Sequence, residues 1–320
     1  MELDAARRML MTSGLVTVVA ARERGIGTRE LRDAVRRREL TRVRRGHYIG
    51  AERWDALSPR ERHRVRVLAA DTDMAGAVFS HESAAAVWGL PIVGRWPTAV
   101  HVSAPRTGGG RSRPGVVLHG STADVPEEWH DGLRVTPVAR TVADLARSGP
   151  FVSAVAAADH ALARGLTTTP ALQQAADALR GRPGAEVVRR LAVTATPLAE
   201  SVGESLSRVR MLELGLPRPV LQHPIHDHRG QIGRVDFWWE ELGLVGEFDG
   251  RLKYRIDGVD DQRAVEERVW AEKVREDRIR ATGARVVRWT WRTAMSPELL
   301  LAQLTAAGLH PTGRPVGRTA

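Results

Sequence analysis

At 320 residues the chain is long enough for two or three domains, and its formal charge of +10 with an isoelectric point near 11.1 favours a polyanionic partner, nucleic acid or an anionic membrane surface. No apolar run approaches the ~20 residues that span a bilayer, and an N-terminus carrying Glu2 and Asp4 lacks the basic-then-apolar layout of a signal peptide, so a cytoplasmic protein without a membrane partner is expected. The absence of cysteine excludes disulfides and thiolate zinc sites, and the 11 histidines show no helical pair spaced for a metal.

Residues 1–52 predict short helices followed by a hairpin. Leu3 to Met11 forms the first helix, Thr17 caps a second through Arg22, Gly25 and Gly27 break the chain, and Thr28 caps a third through Arg38 with Glu30 in its first turn. Leu40 to Arg44 and His47 to Gly50 then form two strands around Arg45-Gly46, which completes the layout of a winged helix-turn-helix. Between Arg22 and Arg45 ten arginines face four acids. Arg29, Arg32, Arg36 and Arg37 recur at helical spacing and Arg42, Arg44 and Arg45 decorate the wing, so these are the expected DNA contacts, with a recognition helix in the major groove and the wing against phosphates.

Residues 53–195 alternate helices and short strands, a middle α/β region. Helices are expected at Pro59 to Ala70 and His81 to Trp88, and strands at Ala77 to Phe79, Ala99 to Ser103 and Val116 to His119. The last two flank the basic, Gly-rich loop Pro105 to Gly115. Alanine-rich helices follow at Pro137 to Arg147, Phe151 to Arg164, Pro170 to Leu179 and Ala185 to Val193. His81, Ser83 and Asp144 have the residue types of a hydrolytic trio, but no Gly-x-Ser-x-Gly elbow or oxyanion loop accompanies them, and they count as an accidental triplet.

Residues 196–320 begin with Thr196 and Pro197 as N-cap and first-turn proline of a helix reaching Leu214, with Glu204 level with Glu200 and Arg208. His223, His226 and His228 read as a solvated hairpin loop. In Arg234 to Tyr254 (RVDFWWEELGLVGEFDGRLKY) the alternation of strand faces puts Asp236 with Trp238, and Glu247 with Asp249. The short Glu240 to Gly243 connection sets Asp236 beside Glu247. Carboxylates that close repel unless a cation sits among them or one takes up a proton, and magnesium or manganese suits an all-oxygen set. The competing reading is a solvated hairpin whose acids pair with Arg234, Arg251 and Arg255. Against 46 arginines the chain has two lysines, Lys253 and Lys273, both in this module, where an ammonium can serve as a point charge on phosphate or water. A charged helix from about Val259 to Ala281, a strand Ala284 to Trp289 and a helix Pro297 to Ala307 complete a mixed sheet flanked by helices. The expected class is therefore mixed α/β throughout.

The order of Glu204, Asp236, Glu247-Phe248-Asp249, Lys253 and the EKVREDRIRATG helix resembles the PD-(D/E)XK nuclease superfamily, in particular its Vsr-like branch. The resemblance implies a restriction-endonuclease-like fold with Asp236, Glu247 and Asp249 as metal ligands, Glu204 as a supporting acid, and Lys253 positioning or activating water. Asp249 stands where the superfamily usually has lysine, and Lys253 reaching back or Lys273 entering from the long helix are the substitutes. Arg44-Arg45-Gly46-His47-Tyr48-Ile49, His81-Glu82-Ser83-Ala84-Ala85 and Thr136-Pro137-Val138-Ala139-Arg140-Thr141 resemble AbiEi-type antitoxins of type IV toxin-antitoxin systems, which implies a repressor of its own operator, with a cognate toxin and a second copy of the chain as further partners. Two readings follow: a magnesium-dependent deoxyribonuclease delivered to DNA by a winged helix, in a toxin-antitoxin or phage-defence setting, and a non-enzymatic repressor with a degenerate nuclease fold.

Overall fold

The structure is a computed structural model that describes residues 14–74, 76–105, 114–121, 125–250 and 262–312. The expected helix Leu3 to Met11, most of the Pro105 to Gly115 loop, and Arg251, Lys253 and Arg255 lie outside the described residues. The fold is mixed α/β, as its pattern of elements implies. It divides into two compact units, Met1–Ala157 with Thr167–Val193, and Ala158–Leu166 with Thr194–Ala320. The segments read as 1–52 and 53–195 thus fall almost entirely in one unit.

In the first unit β1 (Val16–Thr17), α1 (Val18–Arg22), α2 (Thr28–Arg36), β2 (Leu40–Arg44) and β3 (His47–Gly50) build a small sheet of order β1-β3-β2 with two helices. Thr17 caps α1 through its hydroxyl, whereas α2 begins one residue before the expected cap: Gly27 is its N-cap, and Glu30 reaches back to the Gly27 N–H at 2.6 Å. Leu31, Ala34, Leu40 and Tyr48 close a core under the hairpin. Next come α3 (Ala51–Ala56), α4 (Pro59–Asp71), β4 (Val78–Phe79), α5 (His81–Trp88), β5 (Val100–Pro105), β6 (Val116–Ser121), β7 (Glu128–His130) and β8 (Leu133–Val135). The strands form a five-stranded mixed sheet of order β6-β5-β4-β8-β7, with β5/β6 and β4/β8 parallel. The hairpin β7/β8 and α3 were not legible in the sequence, because each is three to six residues long and carries no periodic stripe. Helices α6 (Val138–Ser148), α7 (Phe151–Ala163), α8 (Thr169–Asp177) and α9 (Ala185–Thr194) complete the series.

The second unit is built on α10 (Val202–Glu213), β9 (Val220–Asp227), β10 (Gly230–Trp239), β11 (Leu244–Asp249), α11 (Gln262–Ala281), β12 (Arg285–Thr290), α12 (Trp291–Met295) and α13 (Pro297–Ala306). Its sheet has order β12-β11-β10-β9, antiparallel from β9 to β11 and parallel between β11 and β12. A parallel pair needs a crossover, and α11 lies in that connection. Two expectations are corrected. The helix carrying Glu204 starts at Val202 with Ser201 as its cap, the Ser201 hydroxyl accepting from the Glu204 N–H at 3.2 Å, while the Thr196 hydroxyl accepts from the Leu198 N–H in a turn that contains Pro197. His223 and His226 belong to β9 rather than to a loop, and His223 stacks on Trp238 of the neighbouring strand with ring centroids 5.4 Å apart. No helix among the described residues is long and apolar enough to cross a membrane.

Candidate functional site

Packing brings the acids of the second unit together. The β10/β11 ladder pairs Phe237 with Gly246 and Trp238 with Val245, so the same register sets Asp236 opposite Glu247. On the other side of β10 the β9 register, Phe237 to Leu221 and Val235 to His223, sets Gln222 opposite Asp236. Glu247 in turn pairs with Arg288 on β12. Gln222, Asp236, Glu247 and Arg288 therefore form one row across the sheet. Val235, Phe237 and Trp239 alternate with Asp236 and are buried, which anchors the strand that presents it.

Helix α10 adds Glu204, which is 8% exposed. The helix comes close because residue 203 is glycine: a Cβ there would lie 1.9 Å from the Phe248 ring. Glu204 Oε2 accepts from the Glu200 N–H at 2.9 Å and from Gln222 Nε2 at 3.0 Å, with Gln222 held in the left-handed region at φ +51. Glu204 does not pair with Arg208 one turn on, because Arg208 binds Asp159 at 2.7 Å and the Thr194 carbonyl at 2.6 Å.

Asp236 is the strained member. Burial, then the Glu204 charge, then Glu247, push its carboxyl up to about 7 against the Phe248 N–H bond and Arg275, which act to lower it. Glu247 is answered differently: Arg275 donates to Oε1 at 2.9 Å and Arg288 lies 3.0 Å from Oε2. Both arginines also engage Glu272 of α11, and Arg288 reaches Glu276 at 3.0 Å. Asp249 is half-buried at the end of β11, two residues beyond Glu247 on the same face. The positive charge that α11 brings to the acids is Arg275. Lys273, one of the expected substitutes for the missing lysine, is instead exposed beside Trp270, 5.8 Å from its ring centre. Arg234 of the competing hairpin reading pairs with Glu200, not with the cluster acids.

The expected single-ion cluster of Asp236, Glu247 and Asp249 is not preassembled. Among the described residues, the group whose three ligand atoms all lie within 4.8 Å of one another is His81, His101 and His119 of the first unit. Sequence reasoning missed it because the three sit on different elements, 18 to 20 residues apart, and the pairing of β5 with β6 and of β4, which leads into α5, with β5 brings them together. The accidental triplet dissolves as expected: Ser83 Oγ accepts from the His101 N–H at 2.8 Å, and Asp144 is held by Arg140 Nε at 2.9 Å.

The β2/β3 hairpin and α2 flank a cavity of about 470 Å³. Arg32, Arg36, Arg42 and Arg45 line it with Val18, Thr28 and Tyr48. The remaining candidates are placed otherwise. Arg29 is exposed outside this group, Arg37 pairs with Glu39 at 2.9 Å, and Arg44 turns toward Asp73 at 3.4 Å.

No family model matches the chain. Two curated relatives, the uncharacterized proteins MT2308 and Rv2248 from the CDC 1551 and H37Rv strains of Mycobacterium tuberculosis, are each 34% identical over 187 residues, covering 58% of this chain and 67% of theirs. A crystal structure of the RV2827C protein from Mycobacterium tuberculosis is similar at 17% identity with a TM-score of 0.33, over 59% of this chain and 79% of that one.

Proposed function

The chain belongs to the family of the uncharacterized mycobacterial proteins Rv2248 and MT2308, and from that footing we propose that it binds DNA and hydrolyses its phosphodiesters with magnesium or manganese at the Glu204, Asp236 and Glu247 cluster. The observation that carries the reading is Asp236, a buried carboxyl set beside Glu204 and Glu247, which burial first and then those two charges push up to about 7. Such a group is half protonated at neutral pH, and a hard dication that displaces the proton relieves the repulsion between the acids. When bound, the ion supplies a lowered water pKa and charge neutralisation at the phosphate.

The donors fit such an ion by chemistry, while Glu247 is engaged by two guanidinium groups. A DNA phosphate competes for those same groups. Arg275 and Arg288 turn to the phosphate, Glu247 is released to join Asp236, and Asp249 closes the set, so that ligand assembly is coupled to DNA docking. Arg32, Arg36, Arg42 and Arg45 present the basic face that receives the duplex backbone.

The reading from another class is a repressor or antitoxin that binds DNA without cutting it. The arginine engagement of Glu247 favours it, because a carboxylate whose two oxygens are already paired serves as a structural tie. A supercoiled-plasmid nicking assay in magnesium or manganese, against chelator, separates the two. Nicking that disappears in Asp236→Ala and Glu247→Ala while DNA binding persists supports the nuclease. Tight binding with no nicking in either ion supports the repressor.

A further inference from the structure

We propose that His81, His101 and His119 bind a divalent transition-metal ion, zinc foremost, with Glu82 at the edge of the site. The claim concerns the first unit and is independent of the carboxylate cluster.

The backbone is arranged to gather these rings. The Ser80 N–H donates to the His101 carbonyl at 3.1 Å as β4 ends, and the chain then enters α5 through His81 at φ +52. A left-handed conformation at a non-glycine residue is strained and persists where its surroundings enforce it. Here it turns the His81 ring onto that of His119, with centroids 3.6 Å apart. The parallel register pairs His101 with Val117 and Ser103 with His119, so His101 and His119 project from one face of adjacent strands, two positions apart. His101 Nδ1 lies 3.0 Å from His119 Nε2. Tetrahedral zinc, with bonds to nitrogen of about 2.0–2.1 Å, asks for ligand nitrogens roughly 3.3 Å apart, so the cluster needs ring rotation rather than backbone movement to accept it.

One further feature points to a cation. Glu82 Oε2 is buried without a hydrogen-bond partner, 3.3 Å from His101 Nδ1. A buried carboxylate oxygen left unanswered is costly, and a dication answers it either by direct ligation or through a ring N–H. Imidazole nitrogen with one carboxylate selects zinc, cobalt, nickel or copper and disfavours magnesium and calcium. His101 and His119 are partly exposed, which leaves a route for the ion.

The test uses full-length, untagged protein stripped with chelator, in wild-type and Asp236→Asn forms so that ions held by the carboxylates of the second unit are not counted. Calorimetric titration with Zn²⁺ is expected to give one equivalent per chain in the Asp236→Asn form, and Co²⁺ the intense visible absorption of a four-coordinate nitrogen site. Uptake is lost in His101→Ala/His119→Ala and weakened about 10–100-fold in Glu82→Gln. Absence of uptake by the folded wild type, or uptake unchanged in a folded double variant, overturns the proposal. Should the double variant not fold, the wild-type cobalt spectrum decides: weak six-coordinate absorption refutes the site and intense four-coordinate absorption supports it.

Discussion

The Phe248 backbone N–H donates to Asp236 Oδ2 at 2.8 Å, so the acid most crowded by other carboxylates is also fixed by the strand beside it. Asp236 cannot relieve its repulsion by swinging away. It must take up a proton or a cation.

The proton form has a thermodynamic signature. The carboxyl is raised from 3.8 to about 7 on folding, so its contribution to stability is fully present below pH 4 and is lost as pH rises through 7. A shift of this size is on the order of a few kcal/mol. In chelator, the difference in thermal midpoint between wild type and Asp236→Asn is expected to move against the wild type between pH 4 and pH 7. Magnesium added above pH 7 should recover part of the loss in the wild type alone. A difference that stays flat across this range rejects the crowding of Asp236.

Glu247 depends on its arginines. Replacing Arg275 by Met leaves a 9% exposed carboxylate with one guanidinium fewer and is expected to cost about 1–3 kcal/mol. Adding Glu247→Gln removes the reason for the loss. A double-mutant cycle in urea should therefore show a coupling of about 0.5–3 kcal/mol, whereas additive losses would mean that the pair is not coupled.

Gly203 sets the distance between α10 and the sheet. A methyl group there meets the Phe248 ring at 1.9 Å, and that ring packs edge-on against Trp291 with centroids 5.4 Å apart. Gly203→Ala is expected to destabilise the second unit by about 1–3 kcal/mol and, by displacing Glu204, to bring the Asp236 titration back toward the usual carboxylate range. Carbon-13 NMR of the Asp236 carboxyl reads the second effect directly. An unchanged titration in a folded variant would show that Glu204 does not set it.

What the sequence made legible follows from what is local. Alternation in RVDFWW and in LGLVGEFD sufficed to pair Asp236 with Glu247, because period-two burial and a short connection define a register. Thr17 as a cap and Arg45-Gly46 as a turn are likewise local chemistry. The partners of the acids were not legible. Arg275 and Lys273 are two positions apart on one helix, and which of them meets Glu247 depends on how α11 is rotated over the sheet. The histidine cluster lay further out of reach, since its members share no helix face and meet only where β5, β6 and the start of α5 come together. Ser201 rather than Thr196 caps the helix, because the Thr196 hydroxyl is used in a turn onto the Leu198 N–H, while the Thr196 N–H binds the distant Asp159 carboxylate.

The arginines of the first unit divide into two groups, and DNA affinity should divide the same way. Arg32 and Arg42 line the cavity between α2 and the hairpin, whereas Arg44 is drawn to Asp73 at 3.4 Å. Under the DNA-binding reading, Arg32→Ala and Arg42→Ala each weaken binding on any duplex and reduce the slope of log affinity against log salt by about 1. Arg44→Ala has the smaller effect. Fluorescence anisotropy at several salt concentrations measures both quantities, and equal slopes in all variants would remove these arginines from the interface.

The two units should answer acid in opposite senses. His63 is 0% exposed, with ring nitrogens 2.8 Å from the Pro97 carbonyl and 3.1 Å from Ser83 Oγ. Burial is the largest influence and takes it from 6.5 down to about 4. A histidine depressed on folding stabilises the native state above pH 6.5, and that contribution is lost as pH falls through 4, because the unfolded chain takes the proton first. Asp236 does the reverse across much of the same range. Hydrogen exchange read peptide by peptide, with intrinsic exchange rates corrected for pH, is therefore expected to show α4 losing protection as pH drops from 6.5 to 4. The β10/β11 pair keeps or gains protection over that interval. Replacing His63 by Gln, which stays neutral, should reduce the first response, to which the buried His81, His101 and His119 contribute in the same sense, and leave the second alone; a parallel loss in both units would mean that these groups do not govern their pH dependence.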